Sequence, residues 1–266
     1  MTSEAPHHVP VARFAEQYWA QSRRPLASLV FITPLLITYE LGVLVFGVQN
    51  GADAWMRRLL DLVGFGQHFL LPILTVCCLL AWHYLTREPW RLSRGLLWGM
   101  AVECVLLALC LRMLFQLQSI FLQTVGRSVD LGISGIIGSA IGYLGAGIYE
   151  ELLFRLILLS LIAWGLKRTG VKPTPSVVFA VLLSSFVFSS AHYIGTHGDT
   201  LEWFSFSFRF FAGVFFAILF IYRGFGIAAG THAGYDILVG VLWRLVVSSC
   251  ENALGDASIW RRGTSR

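Results

Sequence analysis

Between residues 26 and 247 the chain is a succession of apolar runs, most of them long enough to cross a bilayer. A membrane helix needs roughly 20 consecutive apolar residues. Runs of that kind occur at 26–48, 69–85, 96–117, 177–194, 203–222 and 227–247. A longer apolar region covers 131–166, and its 36 residues would extend roughly 54 Å as one helix, against a hydrocarbon core of ~30 Å. Six glycines between positions 132 and 147 make a break or a close helix contact the natural expectation there. The pattern predicts an all-α, polytopic integral membrane helical bundle with seven or eight transmembrane helices. A polar segment at 1–24 precedes the bundle of 25–250, and a polar tail at 251–266 follows it. Residues 52–63, ADAWMRRLLDLV, set Trp55, Leu59, Leu60 and Val63 against Arg57, Arg58 and Asp61, the pattern of an interfacial helix.

Composition agrees with a membrane origin. Charged residues are 13% of the chain, about half the roughly 25% of a soluble domain. The net charge of +5 would in a soluble protein suggest nucleic acid. Here the basic residues sit in short loops, before the first run, at Arg87, Arg91 and Arg94, and at Lys167, Arg168 and Lys172. That is the pattern of topology-setting charge, with an N-terminus in the cytoplasm for seven spans, and it speaks against nucleic-acid binding. Residues 1–24 do not read as a cleavable signal sequence. The five cysteines form no C-x-x-C pair and give neither a disulfide framework nor a zinc ribbon.

Against this background a few charges stand out. An ionised side chain at mid-membrane costs roughly 2.5–3.5 kcal/mol, so such residues face the bundle interior, pair with one another and mark function. The stretch GAGIYEELLFRLILLSLIAW holds Glu150, Glu151 and Arg155 among Ile, Leu and Phe. Glu151 and Arg155 are i, i+4 with the acid first, the favourable order for an intrahelical pair. On an α-helix Glu150 is rotated about 100° from Glu151 and faces a different wall. Later runs carry Phe188 with His192 and His232 with Asp236, each pair i, i+4 on one helix face. If these helices converge, the chain owns a polar site within the membrane, with carboxylates as bases and imidazoles as donors. Glu40, Glu103, Arg112 and Arg209 read as interhelical pairing residues, Tyr143 and Tyr149 as core, and His83, His197 and the His7–His8 pair as interfacial or loop residues.

The ordered set E-E-x-x-x-R (Glu150, Glu151, Arg155), F-x-x-x-H (Phe188, His192) and H-x-x-x-[N/D] (His232, Asp236) resembles the CAAX prenyl endopeptidase type 2 family. Within it, the resemblance is to the bacterial branch of CAAX-protease and bacteriocin-processing, or abortive-infection, proteins. It covers about 145–237, inside a protease-like core at about 131–247. The resemblance implies a glutamate-dependent intramembrane endopeptidase in a bacterial inner membrane, acting on a membrane-presented peptide or protein, with no cofactor and no metal. In that reading Glu150 and His192 activate water, His232 with Asp236 stabilises the oxyanion, and Glu151, Arg155 and Phe188 support the site. Two positions depart from the commonest pattern. Leu156 stands where a small residue is frequent, and Asp236 where asparagine is. An ionised Asp236 would repel an oxyanion, so it is either protonated or serves to orient His232 and raise that ring's positive charge. The residues also fit other classes: a zinc site from Glu150, His192, His232 and Asp236, a non-catalytic membrane scaffold or immunity-type protein, or a proton-coupled transporter.

Overall fold

The computed structural model describes residues 11–47, 51–62, 70–121, 133–194, 198–242 and 245, and every regular element among them is helical. Ten α-helices follow one another: α1 (Val11–Ser22), α2 (Pro25–Phe46), α3 (Gly51–Leu62), α4 (Leu70–Thr86), α5 (Leu96–Phe121), α6 (Ile133–Gly145), α7 (Ser160–Arg168), α8 (Pro173–Ala191), α9 (Trp203–Arg223) and α10 (Phe225–Ile237). Five helical stretches, α2, α5, α8, α9 and 225–242, are long and apolar enough to cross a membrane. These account for five of the seven or eight spans expected. Helix α4 is apolar but has 17 residues, and the 131–166 region takes a different form, described next. Large side chains such as Trp98, Val105, Met113 and Phe211 point outward from these helices, as lipid-facing residues do.

The glycine-rich region does not break. Helical structure runs without interruption from Ile133 to Arg168, but it widens into π turns at Ala146–Glu150 and again at Leu152–Leu159. The glycines serve close contact instead. A Cβ on Gly147 would stand 2.6 Å from both the Ala229 carbonyl oxygen and the Ala233 Cβ, and one on Gly145 would collide with the Tyr39 ring. Small residues at such crossings let helix backbones approach one another where no hydrophobic gradient drives association.

Helix α10 is the centre of the bundle. Its sequence, FGIAAGTHAGYDI, is mostly small, and α2, α5, α6, α9 and the first π turn all pack against it. Gly226 N–H donates to Ser28 Oγ at 2.8 Å, which pins the start of α10 to α2. This helix carries His232, which is buried, and Asp236, which is half-buried near its end.

Three sequence expectations change here. His83 is fully buried, edge-on to Trp90 with ring centroids 4.6 Å apart, rather than interfacial. Arg57 of α3 turns inward: its Nε bonds Asp53 at 2.5 Å, and its guanidinium reaches Glu40 at 3.5 Å. Tyr149, expected as core, is buried but polar in its contacts, since its hydroxyl donates to Glu40. Val63, the side chains of Trp55, Arg58, Leu59, Leu60 and Asp61, and residues His7, His8 and His197 lie outside what is described.

Candidate active site

Three helical elements bring the ionisable residues together. The widened run supplies Glu150, Glu151 and Arg155, the end of α8 supplies His192, and α10 supplies His232 and Asp236. Glu150 Oε2 lies 3.8 Å from His192 Nε2 and 3.8 Å from His232 Nε2. Asp236 Oδ2 is 3.6 Å from the same His232 nitrogen. Glu151 is the hub beneath: its Oε2 is 3.1 Å from Arg155 Nε, and its Oε1 accepts a hydrogen bond from His232 Nδ1 at 2.8 Å.

The local backbone explains why two adjacent glutamates both reach this point. On an α-helix they would diverge by about 100°. A π turn, closed by i→i+5 bonds, holds more residues per turn and so rotates each residue less. Glu150 ends one π turn and Glu151 stands before the next, and both are buried. The two carboxylates flank one imidazole, His232, with Glu151 Oε1 2.8 Å from Nδ1 and Glu150 Oε2 3.8 Å from Nε2. Glu151 thus meets Arg155, as its i, i+4 spacing predicts, and His232 as well.

The hydrogen bonds fix the state of each ring. His192 Nδ1 is 2.9 Å from the Phe188 carbonyl oxygen. A carbonyl can only accept, so Nδ1 carries the proton and the neutral ring presents the Nε2 lone pair to Glu150. His232 Nδ1 likewise donates to Glu151, so Nε2 is the atom it turns toward Glu150 and Asp236.

Aromatic residues hold these groups in place. Phe216 of α9 stacks on His232 with centroids 4.4 Å apart and planes 13° from parallel. The Arg155 guanidinium sits 4.3 Å from the centroid of the Phe188 ring and donates to the Gly213 carbonyl at 3.2 Å. Phe188 also meets the edge of His192 at 5.0 Å. The sequence pointed to Phe188 but not to Phe216 or Gly213. One is a lone aromatic in a phenylalanine-rich helix and the other acts through its backbone, so neither leaves a mark in the pattern.

Burial is graded across the cluster. The side chains of Glu151 and Arg155 are 0% and 1% exposed, those of His192 and Asp236 27% and 23%. The site therefore opens on the His192 and Asp236 side, at the end of the bundle where α8 stops and α9 begins. The opposite end holds basic residues: Arg24 pairs with Glu88 at 3.2 Å, and Gly224 packs against the Arg23 backbone beside Arg223. Among the described residues, no group of three or more His, Cys, Asp or Glu side chains is disposed to hold one metal ion.

Residues 132–238 match the family model for Rce1-like proteins, described as type II CAAX prenyl endopeptidase Rce1-like. The matched region is 107 of the 266 residues and contains every residue of the cluster. It is the family to which the three ordered motifs point. Neither a curated protein nor a solved structure matches the chain. The family is one of proteases, and the match together with the five apolar helical stretches supports an integral membrane protein whose residues 132–238 are similar to that family.

Proposed function

We propose that the protein is a glutamate-dependent intramembrane endopeptidase, with Glu150 as general base and His232 as oxyanion donor, in the inner membrane of a bacterium. The observation that carries this reading is the position of Glu150 Oε2, 3.8 Å from two imidazole Nε2 atoms. That distance is too long for a direct hydrogen bond and leaves room for an oxygen atom between the groups.

The steps follow from the ring states. A water placed between Glu150 and His192 donates one hydrogen to the carboxylate and the other to His192 Nε2, which turns its oxygen lone pair toward a substrate carbonyl. As that oxygen bonds to the carbonyl carbon, Glu150 takes the proton and the carbonyl π electrons move onto oxygen. Protonated His232 donates Nε2–H to this oxyanion, its Nδ1–H held by Glu151. Collapse of the tetrahedral intermediate breaks the C–N bond, and Glu150 returns the proton to the leaving amine. Arg155 offsets the charge of Glu151, so that Glu151 can orient the ring from a fully buried position.

Asp236 takes the second of the two roles open to it from sequence, in modified form. Glu151 already orients His232, so Asp236, beside Nε2, acts by favouring the imidazolium. The substrate is a peptide or protein presented from the membrane, since the site opens at one end of the bundle and its walls are apolar helices.

The test is cleavage of a farnesylated CAAX peptide by protein reconstituted in liposomes. Glu150→Gln and His192→Ala are expected to lower kcat by roughly 10²–10⁴-fold, the range for loss of a general base or its partner. Unchanged cleavage by either variant sinks the mechanism.

A further inference from the structure

Arg209 lies outside every motif, yet it sits on the face of α9 that covers the site. Positions 209, 213 and 216 are i, i+4 and i+7, one stripe of a helix. Gly213 of this stripe accepts from Arg155, and Phe216 stacks on His232. Arg209 is thus two turns toward the mouth, about 10 Å along the axis from Phe216 at 1.5 Å per residue.

Arg209 is only partly satisfied. Its Nη2 bonds Asp199 Oδ2 at 2.5 Å, while its buried Nη1 has no hydrogen-bond partner. The guanidinium lies over the Tyr193 ring, 5.2 Å from the centroid, and the buried Tyr193 hydroxyl is also without a partner. Unmade hydrogen bonds on buried donors are costly and call for an acceptor. Asp199 itself is anchored to the site wall, because its backbone N–H donates to the His192 carbonyl at 2.9 Å. Its exposed side chain is held at the mouth by Arg209 alone among the contacts seen. A carboxylate already occupies this guanidinium, and it is one that solvent can take back.

We propose that Arg209 is a specificity-determining residue that binds a carboxylate of the substrate, and that Asp199 holds that place until substrate arrives. The proposal rests on the endopeptidase reading, because it measures from the reacting carbonyl. An extended peptide advances about 3.3 Å per residue, so one running alongside α9 from the level of His232 reaches the level of Arg209, about 10 Å away, in about three residues. The carboxylate can be the peptide's C-terminus or an acidic side chain at that position. Both present the same two oxygens to a planar guanidinium.

Three farnesylated, fluorescent CAAX peptides separate the outcomes: a free acid, its C-terminal amide, and an amide ending in aspartate. Binding is measured to the Glu150→Gln protein in liposomes, and cleavage to the active protein. The acid is expected to bind at least tenfold more tightly than its amide, the worth of one charge-assisted hydrogen bond. Adding Arg209→Gln should bring the two within about twofold, Arg209→Lys should keep part of the preference, and Asp199→Asn should tighten acid binding about fivefold by removing the competitor. Recovery of binding by the aspartate amide assigns the group to a side chain; failure to recover assigns it to the C-terminus. Acid-selective binding without any cleavage would sink the endopeptidase reading and leave the carboxylate site standing. Equal binding of acid and amide, or no binding of either, overturns the carboxylate site whatever the cleavage result.

Discussion

Two buried ionic clusters in this bundle use the same residue types to opposite ends. At the junction of α1, α5 and α9, Glu103 receives both arms of Arg223, Nε to Oε1 and Nη2 to Oε2, each at 2.6 Å. Tyr18 adds a third bond to Oε2 at 2.5 Å, Ser22 accepts from the same guanidinium at 3.0 Å, and Trp19 lies beneath it at 3.8 Å. Burial, and after it the Glu103 carboxylate, hold the Tyr18 phenol above its ordinary range, so it stays a donor at physiological pH. One negative charge meets one positive charge there, and both oxygens of the acid are taken. In the cluster around His232, three carboxylates share a single close guanidinium, and Glu150 stands 3.8 Å from each imidazole. An acid with both oxygens taken locks helices together. In the proposed mechanism, a cluster with excess acid and separations of 3.8 Å takes up protons and a reacting group.

The contrast breaks most sharply at the two glutamates. Glu150→Gln is expected to lower cleavage by up to about 10⁴-fold without lowering the midpoint of thermal unfolding in detergent. Glu103→Gln should do the reverse, losing about 3–5 kcal/mol of stability because Arg223 is left buried without its counter-charge, while folded protein still cleaves. A Glu150 variant that unfolds more readily than the Glu103 variant would erase the distinction. Smaller in effect is Gly147→Ala, where the new methyl meets the Ala229 backbone at 2.6 Å. It should cost about 1–3 kcal/mol through overpacking and also depress kcat, since the π turn carrying Glu150 must move. Kinetics and unfolding on the same preparation would check both halves. The smallest change is Tyr149→Phe, which removes one hydrogen bond to Glu40 at the residue next to Glu150. A loss of about 1 kcal/mol with cleavage nearly intact is expected. A large kinetic defect would move the Glu40 network from the frame of the molecule into its site.

The helical class was legible because lipid forces it: backbone groups must be satisfied within each segment, so long apolar runs become helices. Glu150, Glu151, Arg155, His192, His232 and Asp236 stood out for the related reason that polar groups are expensive there. The pairing of Glu151 with Arg155 could be read from i, i+4 spacing, as a contact within one helix. The bond from His232 to Glu151 could not, because it joins elements 81 residues apart. Neither could the π turns, since the residues that widen them, Ala, Gly, Ile and Leu, also suit an ordinary helix.

The sequence by itself determined that this chain is a helical membrane protein with a costly acid and imidazole set, because transfer energies depend on residue type alone. The tertiary structure decided which acid serves which ring, and that Arg209 stands at the mouth. Those depend on backbone widening and on helix crossings set by small residues around α10, and neither has a local signature in the sequence.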